Sequence, residues 1–289
     1  MTAATALSAR AAGNPSFAVG GVLTLALLAT AALSLAWTPL SPYVIDVPQK
    51  LQLPSARHWF GTDSLGRDVF SMLMVGAQNS ILVGVIAVSV GLLLGTALGA
   101  LAAAWRGWAE EAVMRLADFT FAFPAILLAI MFTAVLGPGI VNSIIAIGIF
   151  NVPIFARVAR GSAKAIWQRD FVMAARAAGR TRLGITLVHI LPNIFSVLVV
   201  QVTIQFANAI LWEAALSYLG LGTQPPQPSW GRMLNDAQAQ LFQAPWLALF
   251  PGFAILLAVL GLNLLGDGLR DLLDPRGTRR AMAAAPARR

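Results

Sequence analysis

The sequence predicts an all-α membrane protein with six transmembrane helices and both termini in the cytoplasm. Three observations lead there. Of 289 residues, 58% are hydrophobic and 11% charged, with a mean hydropathy of +0.75, whereas a soluble domain carries about 25% charged residues. Charges fence the apolar residues into runs that match the roughly 20 residues a helix needs to cross a bilayer. Sixteen of the 20 Lys and Arg then fall on one side of the alternating loops, the pattern that marks the cytoplasmic side. This composition excludes an ordinary soluble globule, and it excludes disorder, which requires few apolar residues and much charge.

No charge occurs between Arg10 and Asp46, and the stretch 16–37 is the first span. It exceeds the ~7–15 apolar residues of a cleaved signal peptide and is read as a retained helix. The charge-free run 69–105 holds no Pro. It reads as one long helix protruding from the bilayer, embedded near 79–104. Gly91, Gly95 and Gly99 recur there every four residues, which places them on one face and admits a close helix neighbour. The run 119–156 is cut by Gly137-Pro138-Gly139, a strong turn signal, giving a hairpin of spans three and four. Pro124 and Pro153 are expected inside those helices, kinking them. Span five is expected over Ile194 to Tyr218, and span six over Leu247 to Leu265.

With this order the cytoplasmic pieces hold Arg10, Arg106, Arg115, seven basic residues from Arg157 to Arg182 and six from Arg270 to Arg289, while the outer loops hold Lys50, Arg57, Arg67 and Arg232. The net charge of +8 is therefore a positive-inside signature, and no nucleic-acid partner is expected.

Catalytic and metal chemistry find few candidates. There is no Cys, and the two histidines, His58 and His189, fall on opposite sides of the membrane, so neither a thiolate nor a histidine-rich metal site is expected. Ser64 and Ser162 lack a G-x-S-x-G elbow. Asp63 and Asp68 read as turn and cap residues. No catalytic residue is assigned. Glu213 is the one charged residue within a predicted span, a position that is functional by default. It is a candidate for lining the outer pathway or making a structural hydrogen bond, while a proton-relay role would make the chain an ion-coupled secondary transporter. On the outer side, GTQPPQPSWG at 222–231 reads as rigid scaffolding, and Trp59, Trp230 and Trp246 are expected at or above the outer interface.

The cytoplasmic stretch 157–192 is the most informative. Asp170 is placed as the cap of a helix over 171–178, closed by Gly179 in the left-handed conformation. Two turns span about 12 Å, too few to be stable alone in water. Two supports are open: lipid headgroups, with Phe171 and Val172 facing the membrane and Arg176, Arg180 and Arg182 along the surface, or a groove on a cytoplasmic partner, which small Ala174, Ala175, Ala177 and Ala178 would let approach closely.

The stretch AARAAG, Ala174 to Gly179, followed ten positions later by HILPN, His189 to Asn193, resembles the "EAA" loop of permease subunits of binding-protein-dependent ABC importers. Met173 stands where the family has Glu, and His189 where it has Ile, so no role of that carboxylate carries over. HWFGTDSLGRDVFSML at 58–73, ALSYLGLGTQPPQPSWGRML at 215–234, and the segments APWLALFPG and NLLGDGLRDLLDPR resemble the C-type permeases of dipeptide, oligopeptide, glutathione and nickel importers. The resemblance implies a type I importer permease core over 55–276, preceded by a tail, first span and start of the outer loop at 1–54 and followed by a basic cytoplasmic tail at 277–289.

It implies further that the helix from Asp170 through Phe171, Val172 and Met173 to Gly179 is a coupling helix seated on an ATPase subunit. The expected partners are a homologous second permease, two ATPase subunits holding ATP and Mg, an external substrate-binding protein, and the lipid of a prokaryotic cytoplasmic membrane. The sequence itself agrees that this chain holds no nucleotide. A phosphate loop needs Gly-Lys, and the only lysines, Lys50 and Lys164, follow Gln49 and Ala163.

Overall fold

The structure, a computed structural model, describes residues 14–273; Arg10 and the tail at 277–289 lie outside them. Helix α1 is Pro15–Ala36, capped by the Asn14 side chain, which accepts from Phe17 N–H at 3.1 Å. Helix α2 is Val69–Ala104, 36 residues without a break, about 54 Å long and so longer than the ~30 Å hydrocarbon core. Asp68 caps it, accepting from the Ser71 amide at 2.8 Å. One turn within it, Gly91–Gly95, is a π turn.

Helix α3, Trp108–Phe121, and helix α4, Ala125–Leu136, meet at 87°. This corrects the expectation that Pro124 lies inside a span. Proline lacks the N–H that would continue the ladder and drives the preceding residue out of the helical region, so the chain breaks at 122–124 and restarts. Helix α5, Ile140–Trp167, does absorb Pro153 and runs on well past the end of the charge-free stretch. Helix α6 is Asp170–Ala177.

Helix α7, Arg182–Tyr218, begins far earlier than the expected Ile194. Its π turn at Thr186–Ile190 lies just before Pro192, where a proline ring would otherwise clash with the carbonyl one turn back. Helix α8, Trp230–Ala237, lies in the outer loop with Ser229 as its cap, and α9 is Trp246–Leu273, outlasting the expected end at Leu265. Among the described residues, five helices are long and apolar enough to span alone, and the α3–α4 pair is a sixth when counted as one broken span.

Close backbone approach sets the helix order. A Cβ on Gly91 would meet Asn151, one on Gly95 would meet Val152 and Phe155, and one on Gly99 would meet Ala156, so all three glycines lie against α5. Gly20, Gly261 and Gly268 serve the α1–α9 pair in the same way, against Leu264 and Leu265, Leu23, and Phe17. Trp230 is 3% exposed and its indole N–H donates to the Leu73 carbonyl at 3.0 Å. It is therefore a packing residue between α8 and α2, not the interfacial indole expected; Trp59, 52% exposed, does reach the surface.

Two outcomes follow from this architecture. Gly99→Leu should destabilise the protein by about 1–3 kcal/mol through overpacking, while Gly21→Leu, which meets open space, should not, as read from thermal unfolding in detergent. In this Cys-free chain, an impermeant thiol reagent should label Gln227→Cys in intact cells and Gln168→Cys only after lysis; the opposite pattern overturns the orientation.

Candidate functional site: the cytoplasmic helix and the buried carboxylate

Helix α6 hangs below the membrane core between α5 and α7. Asp170 is its first residue, not its cap: the cap position is Arg169 and no side chain bonds there. Asp170 still lies where a carboxylate favours the positive end of the helix dipole. The other end closes as the sequence indicates. Gly179 has φ +80°, its amide donates to the Arg176 carbonyl at 3.0 Å, and the Arg180 amide donates to the Ala175 carbonyl at 3.1 Å. That pair of bonds is a Schellman motif.

Val172 is wholly buried in the same core cluster as Trp167 and Ile185, and this anchor holds the short helix. Ala175 is half-buried, whereas Phe171, Met173, Ala174, Arg176, Ala177 and Ala178 are exposed. The Phe171 ring meets His189 edge-on at 6.1 Å between centroids. His189 thus lies inside α7, two turns from its start at Arg182. Thr181 caps α7 by accepting from the Gly184 amide at 3.1 Å, so only a tight turn separates α6 from α7. The outcome is a two-turn helix with one anchored face and one free face, fixed rigidly to two long helices.

Glu213 lies elsewhere. It is fully buried. Its Oε1 accepts from Ser217 at 2.7 Å and Thr223 at 3.2 Å, and its Oε2 accepts from Ser80 at 3.3 Å. The carboxylate therefore ties α7 to α2 and to the Pro-rich outer segment. These are structural hydrogen bonds, one of the two roles the sequence left open for Glu213.

The outer loops are held by similar networks. His58 bridges Asp68 Oδ1 at 3.0 Å and Gln49 Oε1 at 3.2 Å. Asp63 takes the Leu65 and Arg67 amides, as a turn residue does, and pairs with the Arg67 guanidinium at 2.6 Å. Arg67 and Arg232 both reach Asp236, at 3.7 and 3.0 Å. Burial pushes the Asp236 carboxyl up from its ordinary range, against the pull of those two arginines.

One cluster escaped the sequence reading. Glu110 on α3 receives Arg160 and Lys164 of α5, the lysine at 2.7 Å, and Asp118 receives Arg157 at 2.6 Å. Arg157, Arg160 and Lys164 were counted only as cytoplasmic charges. Their spacing of three and four, one face of a helix, was the available signal.

A bundle with two apolar cores, a bent third span and an anchored cytoplasmic helix defines a polytopic membrane subunit, and the fold has solved counterparts. It matches the inward-facing methionine ABC transporter MetNI with a TM-score of 0.58 at 18% identity, covering 70% of this chain and 97% of that one. A second crystal form of that transporter gives 0.59 at 19%.

Residues 91–279 match the binding-protein-dependent transport system inner membrane component family, and the chain belongs to it. It is 49% identical over 227 residues to the dipeptide transport system permease protein of Alkalihalophilus pseudofirmus, covering 78% of this chain and 75% of that protein. It is 51% identical over 223 residues to the glutathione transport system permease protein of Escherichia coli, covering 77% and 74%. The protein is an ABC importer permease subunit, and its relatives are transport components.

The Glu213 network predicts a graded response. Glu213→Gln keeps a group of the same shape and should lower the unfolding temperature little. Glu213→Ala leaves Ser80, Ser217 and Thr223 unpaired and should cost at least the ~1–3 kcal/mol of one buried orphan. Equal thermal stability of the two variants would remove the structural role.

Proposed function

We propose that this chain forms half of a translocation pathway for dipeptides or oligopeptides across the cytoplasmic membrane of a prokaryote. A homologous second permease supplies the other half. Two ATPase subunits, holding ATP and Mg, drive the cycle from below, and an external binding protein delivers the substrate. The observation that carries this reading is α6. Its Val172 face is sunk in the permease core while Ala174, Ala177 and Ala178 stand free on the cytoplasmic side, where small side chains let a groove close around the helix backbone.

The peptide assignment rests on the relatives. One is named for dipeptide transport, the other for glutathione, itself a short peptide. The secondary-transporter reading loses its support, because the one carboxylate it needs is closed in by three hydroxyl donors.

The test is uptake of a labelled dipeptide into proteoliposomes holding both permeases, the ATPases and the binding protein. Uptake should require ATP and survive collapse of the proton gradient. Ala174→Glu should break the ATPase contact by overpacking, worth typically about 1–3 kcal/mol, and Gly179→Val should do so by forbidding the left-handed cap. Each should abolish transport and the stimulation of ATP hydrolysis by loaded binding protein. Full transport in both variants, with the ATPase still bound, would return α6 to the lipid surface.

A further inference from the structure

Helix α3 has a face that nothing among the described residues covers. Trp108, Ala112, Leu116 and Phe119 fall at spacings of four, four and three, one stripe of a helix. Trp108 is 83% exposed, Leu116 64% and Phe119 66%. The opposite side carries buried Ala117 and the acids Glu110 and Asp118, which pair with Lys164, Arg160 and Arg157 of α5. Arg115, seven residues after Trp108, edges the same stripe, and it pairs at 3.1 Å with exposed Glu111, which lies on the side away from the stripe.

The depth of α3 follows from α5. The outer turn is fixed where the Gly139 amide donates to the Leu221 carbonyl at 3.0 Å. Arg157 lies 17 residues along α5 from Ile140, about 26 Å at 1.5 Å per residue, most of the way across a ~30 Å hydrocarbon core. Asp118, paired with Arg157, is therefore at the cytoplasmic boundary. From there α4 enters the bilayer with Leu127, Met131 and Val135 exposed on its side, and the 87° bend turns α3 away from that crossing direction.

We infer that α3 is an in-plane membrane helix, with Trp108, Ala112, Leu116 and Phe119 sunk into the cytoplasmic leaflet and its acids latched to α5. The apolar stripe leads into the exposed apolar side of α4, with Leu127, Met131 and Val135. Trp105, Arg106 and Trp108 at its start, with Arg115 beside the stripe, supply the indoles and positive charge that suit an interface of anionic headgroups. An amphipathic helix of this kind rests on the boundary between headgroups and acyl chains. Because α5 leads straight into α6, this seat braces the arm that carries the cytoplasmic helix.

The absence of native Cys makes the test clean. Nitroxide labels are placed singly at Ala112→Cys, Phe119→Cys and Glu111→Cys in the full transporter, in nanodiscs of phosphatidylethanolamine and phosphatidylglycerol. Accessibility to oxygen, which partitions into lipid, is compared with accessibility to a water-soluble nickel chelate. Labels at 112 and 119 should favour oxygen and the label at 111 nickel, a reversal of the ratio around one helix. Ala112→Cys adds a single sulfur at an exposed site, so its result stands even where Phe119→Cys disturbs packing. Nickel in excess at 112 and 119 would put the stripe in the cytoplasm, and shielding from both probes would put a protein partner on it; either overturns the inference.

Discussion

The rest of the structure depends on the contact between α2 and α5. Three glycines at four-residue intervals bring α2 against the backbone of α5 from Asn151 to Ala156, with no Cβ to hold the helices apart. In a bilayer the hydrophobic effect does not press helices together, so dispersion at close range must do so, and small residues are what permit it. Both helices are irregular at this level, α2 by its π turn at Gly91–Gly95 and α5 by Pro153. Each irregularity frees a backbone carbonyl, tolerable inside a membrane only where neighbouring structure covers it.

From that contact α5 runs without interruption to Trp167 and meets α6 two residues later. A helix is stiff over such a length, so a displacement of α6 moves α5 as a rod. At the cytoplasmic end the rod is clamped by three charge pairs to α3. The partly buried Glu110 accepts two cations at once, where pairs at fully solvated positions are worth little. Outside, Arg67 and Arg232 converge on Asp236, and Glu213 gathers three hydroxyls. The outer end is thus cross-linked among loops and helix ends, the inner end between two helices.

Much of this was legible in the sequence because bilayer physics leaves few choices. Charge-free runs marked six spans and the basic residues marked the inner side; Gly179 announced its positive φ, and Asp68 its cap. What could not be read was where helices continue beyond the apolar runs. Charged residues end a hydrophobic run but do not end a helix, so α5 passed Arg157 and α7 began at Arg182. Pro124 was misplaced for a related reason. Proline is compatible with a kink or a break, and which one occurs depends on whether neighbours cover the freed groups. Pro153 is buried in the bundle and stays in its helix, while Pro124 is exposed and breaks its own.

Met173 shows how the cytoplasmic helix tolerates its departure from the family pattern. Two features hold α6 together: Val172 buried in the core and the Schellman closure at Gly179 and Arg180. Neither involves residue 173, whose side chain points outward and is 53% exposed. Replacing a carboxylate there removes no capping interaction, since the residue lies past the first turn where the dipole is felt, and Asp170 already occupies that turn. The substitution changes only the free face. It exchanges a charge for a flexible, polarizable thioether of the kind that fills irregular apolar gaps. Any partner seated on α6 therefore meets, at this position, a surface that selects by shape and not by charge.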